Sequence, residues 1–413
     1  MLSWFSIDGK ILVGSRAIRS LIQGFFSVVV SVYLSILGYS DFLIGLAISI
    51  FTVSAVAHIA IVSFLEPRFG RKRTLLFLTT LSIAGGIMLI FSTNYFGIIL
   101  AACIGPIVGG TSAGAFQTVE QAIIAQSATD ANRTRAYAVY NIGGWLAMSA
   151  GALLVSLPAI LQTEGFGLID SFRLVFAFNV VAMFGVLLIY TFLSMGAEPT
   201  DTSTSKKSSR PSLSPESRSR IGKLSALMGL DSFGGAFVLQ SIASLWFYHR
   251  FGASLDTLSI IFLGANLASA VSFLVAADLS RRIGLVNTMV FTHLPSNIIT
   301  ALIPFAPTLP LVTGMFVIRG FLNPMDIAPR QSYIAAIVKP EERVAAAAAT
   351  NIVSDVGRSV SPSISGFLLQ FVSLSVPFFV AGGLKAAYDL ILFHNFRSLK
   401  PPEEMHTASN PKK

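Results

Sequence analysis

The sequence predicts an all-α membrane protein, with twelve transmembrane helices in two pseudo-symmetric six-helix bundles. Three observations predict it. Hydrophobic residues make up 53% of the chain and charged residues 12%, with a mean hydropathy of +0.72, whereas a soluble domain carries roughly 25% charged residues. Apolar runs of about 20 residues, the length that crosses a bilayer, recur along all 413 residues. A single polar stretch, "GAEPTDTSTSKKSSRPSLSPESRSR" at 196–220, divides these runs into two sets of six.

In the first set, span one (12–37) ends at the "GYSD" turn and span two (42–65) at the basic "EPRFGRKR". Span three (74–92) ends at "STNY", and span four (96–127) runs to the charged "TDANRTR". Span five (136–160) stops before "LQTEGFGLIDSFR", and span six (172–195) meets the polar stretch. In the second set, span seven (222–249) closes at "RFGASLD", span eight (256–278) at "SRRIG" and span nine (287–303) at "PFAPTLP". Spans ten (310–334), eleven (344–371) and twelve (375–396) follow, with "KPEER" after span ten. The implied organisation is an N-terminal bundle over 1–195, a linker over 196–220, a C-terminal bundle over 221–396 and a tail over 397–413. Rich in Ser, Thr, Pro and charge, the linker cannot bury enough surface to order itself.

Lys and Arg set the orientation. Alternate loops hold Lys10, Arg16 and Arg19, then Arg68, Arg71, Lys72 and Arg73, then Arg133 and Arg135, and the same side carries the linker, Arg281, Arg282, Lys339, Arg343 and the tail. The opposite loops hold only Arg173 and Arg250. By the positive-inside rule the basic side is cytoplasmic, so both termini lie on the cytoplasmic side of the cell membrane. The first 20 residues lack the compact apolar core of a cleavable leader. Cys103 stands alone, so no intrachain disulfide can form. A pI near 9.8 reflects these loops and no basic patch of the kind that binds nucleic acid.

The two halves repeat. Gly38 and Gly252 are 214 residues apart, as are Gly70 and Gly284, while Gln121 and Gln331, Arg133 and Arg343, and Asn141 and Asn351 are 210 apart. Twelve spans, the six-plus-six repeat, the polar linker and the basic glycine loop after spans two and eight resemble the major facilitator superfamily over essentially the whole chain. Its signature loop, Gly-x-x-x-Asp-Arg-x-Gly-Arg-Lys, is matched in "SFLEPRFGRKR" by Arg68, Gly70, Arg71 and Lys72. Ser63 replaces the first glycine and Pro67 the aspartate, with Glu66 displaced by one. The second copy, "AADLSRRIG", keeps Asp278, Arg282 and Gly284. In that family the loop belongs to a cytoplasmic gate, so the resemblance implies a gating role for these residues. "FTHLPSN", "MDIAPRQSY" and "PEER" further resemble a group of prokaryotic permeases. "GPIVGG" at 105–110 looks like an antiporter motif but falls on span four instead of five, and carries no weight.

The resemblance also implies a cavity lined by spans one, four, seven and ten, with substrate bound near the midplane. Charge inside a span costs about 3 kcal/mol even on the lowest scale, so such residues normally face a partner or water. Glu120, Gln121, Asp231, Arg319, Asp326, Arg330 and Gln331 are therefore the candidates for the cavity or for proton coupling, with Glu120 and Asp326 first. Glu120 and Arg330 occupy repeat-equivalent positions and suggest a gate pair. Asp326 and Arg330, at i and i+4, have the alternative of neutralising each other. Asp355 and Arg358, at i and i+3 on span eleven, belong either to the gate or to structure, with structure favoured. Lys385 and Asp389 read as a packing pair on span twelve. His58 and His293 lack metal-ligand spacing and read as packing histidines.

No metal-ligand set, phosphate loop or nucleophile elbow appears, which leaves no enzyme and no cofactor to expect. The resemblance then implies a secondary transporter that moves a small organic solute by alternating access. Proton coupling and export are favoured, and the fold works as a monomer. The other readings are a non-transporting membrane sensor or scaffold, and an uncoupled facilitator.

Overall fold

A computed structural model describes residues 6–105, 114–127, 130–198, 214–338 and 342–397; the "GPIVGG" motif after Gly105, most of the linker, the first three residues of "KPEER" and the tail beyond Arg397 fall outside them. Among the described residues the regular structure is helical. The α-helices are α1 (Ile7–Ile36), α2 (Asp41–Phe69), α3 (Arg71–Phe91), α4 (Tyr95–Ile104), α5 (Ala115–Ser127), α6 (Asp130–Leu153), α7 (Leu157–Thr163) and α8 (Leu168–Thr191). They continue with α9 (Pro215–Ala236), α10 (Gln240–Phe251), α11 (Leu255–Ile283), α12 (Leu285–Leu302), α13 (Leu309–Leu322), α14 (Ile327–Ala336), α15 (Arg343–Phe371) and α16 (Val376–Phe396).

Ten helical segments among the described residues are long and apolar enough to cross a membrane. The other two expected spans are α4 with α5, separated by residues outside the described set, and α15, whose polar run includes Thr350, Asn351, Ser354, Asp355 and Arg358. Large side chains such as Phe96, Phe192, Leu274 and Phe305 are exposed on helix surfaces. An apolar exterior over helices that satisfy their own backbone is what a bilayer requires. The chain is a multi-pass membrane protein.

The chain divides into two compact units. One comprises Met1–Thr202 with Gln240–Asn266, and the other Ser203–Leu239 with Leu267–Lys413. In the first, serine and asparagine side chains cap helix starts: Ser6 Oγ accepts from Gly9 N–H at 2.9 Å and Asn94 Oδ1 from Gly97 N–H at 2.7 Å. Helices α1 and α6 cross so closely that a Cβ on Gly24 would lie 2.1 Å from the Met148 carbonyl oxygen, and one on Gly151 1.9 Å from that of Leu21. Phe26 stacks on Phe176 of α8 at 5.5 Å. Helix α10 docks on α1 through hydroxyls: Ser31 Oγ donates to Ser241 O at 2.6 Å and Ser244 Oγ to Val28 O at 2.8 Å.

In the second unit α9 crosses α15 at a similar close approach, with a Cβ on Gly357 2.6 Å from the Gly229 oxygen. Met228, Met289, Tyr333, Tyr388 and Leu392 fill its core.

Spans five, seven and ten are broken; in span five a 3-10 turn, Leu154–Ser156, separates α6 from α7. Span seven divides into α9 and α10, where i→i+3 bonds from Phe237 N–H to Gly234 O and from Val238 N–H to Gly235 O, both 3.3 Å, tighten and end α9. Span ten divides at a 3-10 turn, Asn323–Asp326, in which Pro324 has no N–H to continue the ladder of α13. Both ends of the expected linker are structured: Met195–Ala197 forms a 3-10 turn and α9 starts at Pro215. Ser214 N–H anchors that start by donating to Glu342 Oε1 at 2.7 Å.

Candidate functional sites in the two helical units

The loop between α2 and α3 turns at Gly70 with φ +85°, and that between α11 and α12 at Gly284 with φ +89°, a region glycine enters without steric cost. Around the first turn Arg71 Nε donates to Glu66 Oε1 at 2.9 Å and Arg71 Nη1 to Gln126 Oε1 at 2.6 Å. Lys72 Nζ donates to the carbonyls of Thr191 and Leu193 at 2.6 and 2.8 Å, and the Arg68 guanidinium lies 3.6 Å from the Phe64 ring centroid. The carboxylate of Glu198 accepts the backbone N–H groups of Arg71 and Lys72 at 2.8 and 3.1 Å. It thereby caps the positive end of α3. Sequence reasoning missed Glu198 because it sits in the polar stretch read as linker. At the second turn Asp278 and Arg282 pair at 2.8 Å with both side chains exposed.

Glu120, fully buried on α5, is the centre of the first unit's network. Its Oε1 accepts from Ser15 Oγ at 3.0 Å and Tyr190 OH at 2.7 Å, and its Oε2 from Tyr140 OH at 2.5 Å and from Arg19 Nη2. Arg19 also lies 4.4 Å from the Phe116 ring centroid. Side chains from α1, α6 and α8 thus surround the carboxylate. Neighbouring Gln121 accepts from Tyr137 OH at 3.1 Å through its backbone carbonyl.

The second unit holds a larger buried network, assembled from both sides of the span-ten break. Arg330 Nη1 on α14 lies 3.2 Å from Asp231 Oδ2 on α9 and 3.4 Å from Asp326 Oδ2. Lys385 Nζ on α16 lies 3.2 Å from Asp231 Oδ1 and donates to Asn323 Oδ1 at 3.2 Å. Its stem crosses α9 at Gly234 and Gly235, where a Cβ would approach Lys385 Cγ and Nζ to 3.0 and 3.3 Å. His293 on α12 places Nδ1 2.8 Å from Asp389 Oδ1 and Nε2 3.7 Å from Asp231 Oδ1. Asn297 Nδ2 donates to Asp389 Oδ2 at 2.7 Å. Asp231, His293 and Asp326 bring one ligand-type atom each within 4.8 Å of one another. Arg330 and Lys385 already counter those carboxylates, so the cations at this cluster are the chain's own.

Within its own unit each of Glu120 and Arg330 has a counter-charge, Arg19 for Glu120 and Asp231 with Asp326 for Arg330. Two other expectations are revised. Lys385 and Asp389 do not serve each other as a packing pair: Lys385 serves Asp231, and Asp389 serves His293 and Asn297. Nor is His293 alone. Asp326 and Arg330 do meet at i and i+4, but as one edge of the wider network. Arg319 Nε donates to Thr300 Oγ1 at 2.9 Å, Gln331 is exposed, and Asp355 lies 3.9 Å from Arg358. His58 bonds the carbonyls of Ser54 and Ile104 at 2.8 and 3.2 Å, tying α2 to α4.

Comparison with known proteins places this architecture. The membrane protein YJR124C of Saccharomyces cerevisiae is 25% identical over 94% of this chain and 93% of its own length. The MFS-type transporter YtbD of Bacillus subtilis is 23% identical over 84% of each chain. Among solved structures, the nucleoside transporter NupG superposes with a TM-score of 0.72, at 14% identity, over 95% of this chain and all of that one. The model of the Major Facilitator Superfamily matches residues 12–230 and 224–413, nearly the whole length. With that match over both halves, this chain belongs to the Major Facilitator Superfamily.

Proposed function

We propose that the protein is a secondary active transporter that moves a small organic solute across the cell membrane by alternating access, with both termini cytoplasmic. It is driven by protons, exports in preference to importing, and works as a monomer. The observation that carries this reading is the buried network of Asp231, His293, Asp326, Arg330, Lys385 and Asp389, built where span ten is broken. A scaffold needs no such device, because replacing buried ion pairs with apolar packing is often neutral or stabilising. Broken helices with ionisable groups are how transporters of this kind hold substrate and coupling ions. Relatives in structure named as nucleoside and xylose transporters support a solute of that size.

Coupling belongs to the C-terminal network instead of Glu120, which Arg19 already answers. Glu120 and Arg19 fix α1, α5, α6 and α8 as one body. Glu66, Arg68, Gly70, Arg71 and Lys72, with Asp278, Arg282 and Gly284, form the cytoplasmic gate.

The test is reconstitution into liposomes, using solutes identified by thermal shift, because a ligand bound only to the native state raises its stability. Driven by a pH gradient, wild type accumulates solute, and Asp326→Asn exchanges solute without accumulating it. Binding without flux would identify a sensor, and flux indifferent to a pH gradient a facilitator.

A further inference from the structure

The C-terminal network does not balance its charge without a sixth member. Three carboxylates, Asp231, Asp326 and Asp389, face two basic side chains, Arg330 and Lys385. His293 is 1% exposed and has a carboxylate at each ring nitrogen. As imidazolium it makes the cluster neutral; as neutral imidazole it leaves one uncompensated negative charge in a site removed from water, which is costly.

We propose that His293 is the residue on which the coupling proton rides, with Asp389 and Asn297 as its positioning residues. This rests on the transporter reading above. Asp389 Oδ1 at 2.8 Å accepts Nδ1–H, while Asn297 Nδ2, 3.1 Å from the same ring nitrogen, donates to the other Asp389 oxygen at 2.7 Å. That arrangement fixes the tautomer, as a partner on one ring nitrogen does for the other. The exchangeable proton therefore sits on Nε2, which faces Asp231 at 3.7 Å, beyond a hydrogen bond. When the network opens to water, Nε2–H passes its proton to a water molecule; the ring keeps its Nδ1–H to Asp389, and the lost charge is one proton.

Every neighbouring element contributes to the ring's field. Asp231 comes from α9, Asp326 and Arg330 from the span-ten break and α14, Lys385, Tyr388 and Asp389 from α16, and Arg358 with Asp355 from α15 beyond Arg330. Carboxylates bracket the ring and cations lie beyond them, so a shift of α14 or α16 relative to α12 changes its affinity for a proton. Protonation must then bias the same movement by an equal free energy.

The test needs no solute. Protein carrying 15N-labelled histidine and a single thiol at Gln331→Cys, on a Cys103→Ser background, is placed in lipid nanodiscs. Of five histidine signals, the one missing from His293→Gln should show both nitrogens protonated in mild acid and lose the Nε2 proton as pH rises. Labelling of the thiol by an aqueous maleimide should change about fivefold or more across that titration, the lower end of typical coupling between sites. After correction for the reagent's own pH dependence, the rate should be flat in His293→Gln. Asp389→Asn, which keeps shape and removes charge, should shift the response to more acidic pH.

An unchanged pH response in His293→Gln, or a His293 signal that stays neutral throughout, overturns the proposal. A response that follows sodium instead of pH does so too. Should His293→Gln not fold, the Asp389→Asn shift decides alone. Solute counterflow separates the two readings: flux without His293 titration leaves a transporter with another coupling site, and titration-linked labelling without flux leaves a proton sensor.

Discussion

Arg330 and Asp231 approach to 3.2 Å, joining span ten to span seven. Glu120 and Arg19 join span four to span one in the other unit, with the charges exchanged. The repeat has thus kept a bridge and reversed its sign. The sequence repeat predicted opposite charges at positions 120 and 330 but not that each would be answered within its own half.

Additivity tests that arrangement. Glu120→Gln leaves Arg19 buried without its partner, at a cost of about 3–5 kcal/mol, and Asp231→Asn weakens the hold on Arg330 and Lys385. Glu120→Gln combined with Arg330→Gln should be additive in thermal unfolding, because the two share no partner. Asp231→Asn with Arg330→Gln should show a coupling of about 0.5–3 kcal/mol. The reverse pattern would restore the gate pair between Glu120 and Arg330.

Glu198 is expected to behave as a helix cap. Glu198→Ala removes the acceptor for two N–H groups at the start of α3 and should cost about 0.5–2 kcal/mol. Glu198→Gln, which keeps an acceptor oxygen, should cost less. Equal losses in unfolding temperature would mean that charge, not capping, is what the residue supplies.

Deleting residues 200–212 should leave membrane insertion and transport close to wild type. This deletion spares Glu198 on one side and the Ser214 anchor to Glu342 on the other. A polar linker acts through its reach. Failure of the deletion to insert would assign the segment a structural role.

The crossing of α1 and α6 has no room for a methyl group. Gly151→Ala would place a Cβ 1.9 Å from the Leu21 oxygen and should destabilise by about 1–3 kcal/mol or more, since backbone atoms must move apart. Gly185→Ala on α8, where nothing lies within 4 Å, should be neutral or slightly stabilising. Monodispersity and melting temperature of the two purified variants check the contrast.

Hydropathy, loop charge and the repeat were readable by sequence alone because they are one-dimensional: a bilayer demands a length of apolar chain, and Gly70 and Gly284 mark two turns by residue type. Partner choice was not readable. Local spacing makes Lys385 and Asp389 natural partners at i and i+4, yet neighbouring helices bring Asp231 to one and His293 to the other. Which face of α16 meets α9 and which meets α12 depends on helix rotation and crossing, and those follow from packing the whole unit. The same packing lets the Gly234–Gly235 step admit the Lys385 stem. Sequence determined that these charges exist inside spans; only tertiary structure decided that six of them form one network, because a buried charge takes the nearest counter-charge in space and not along the chain.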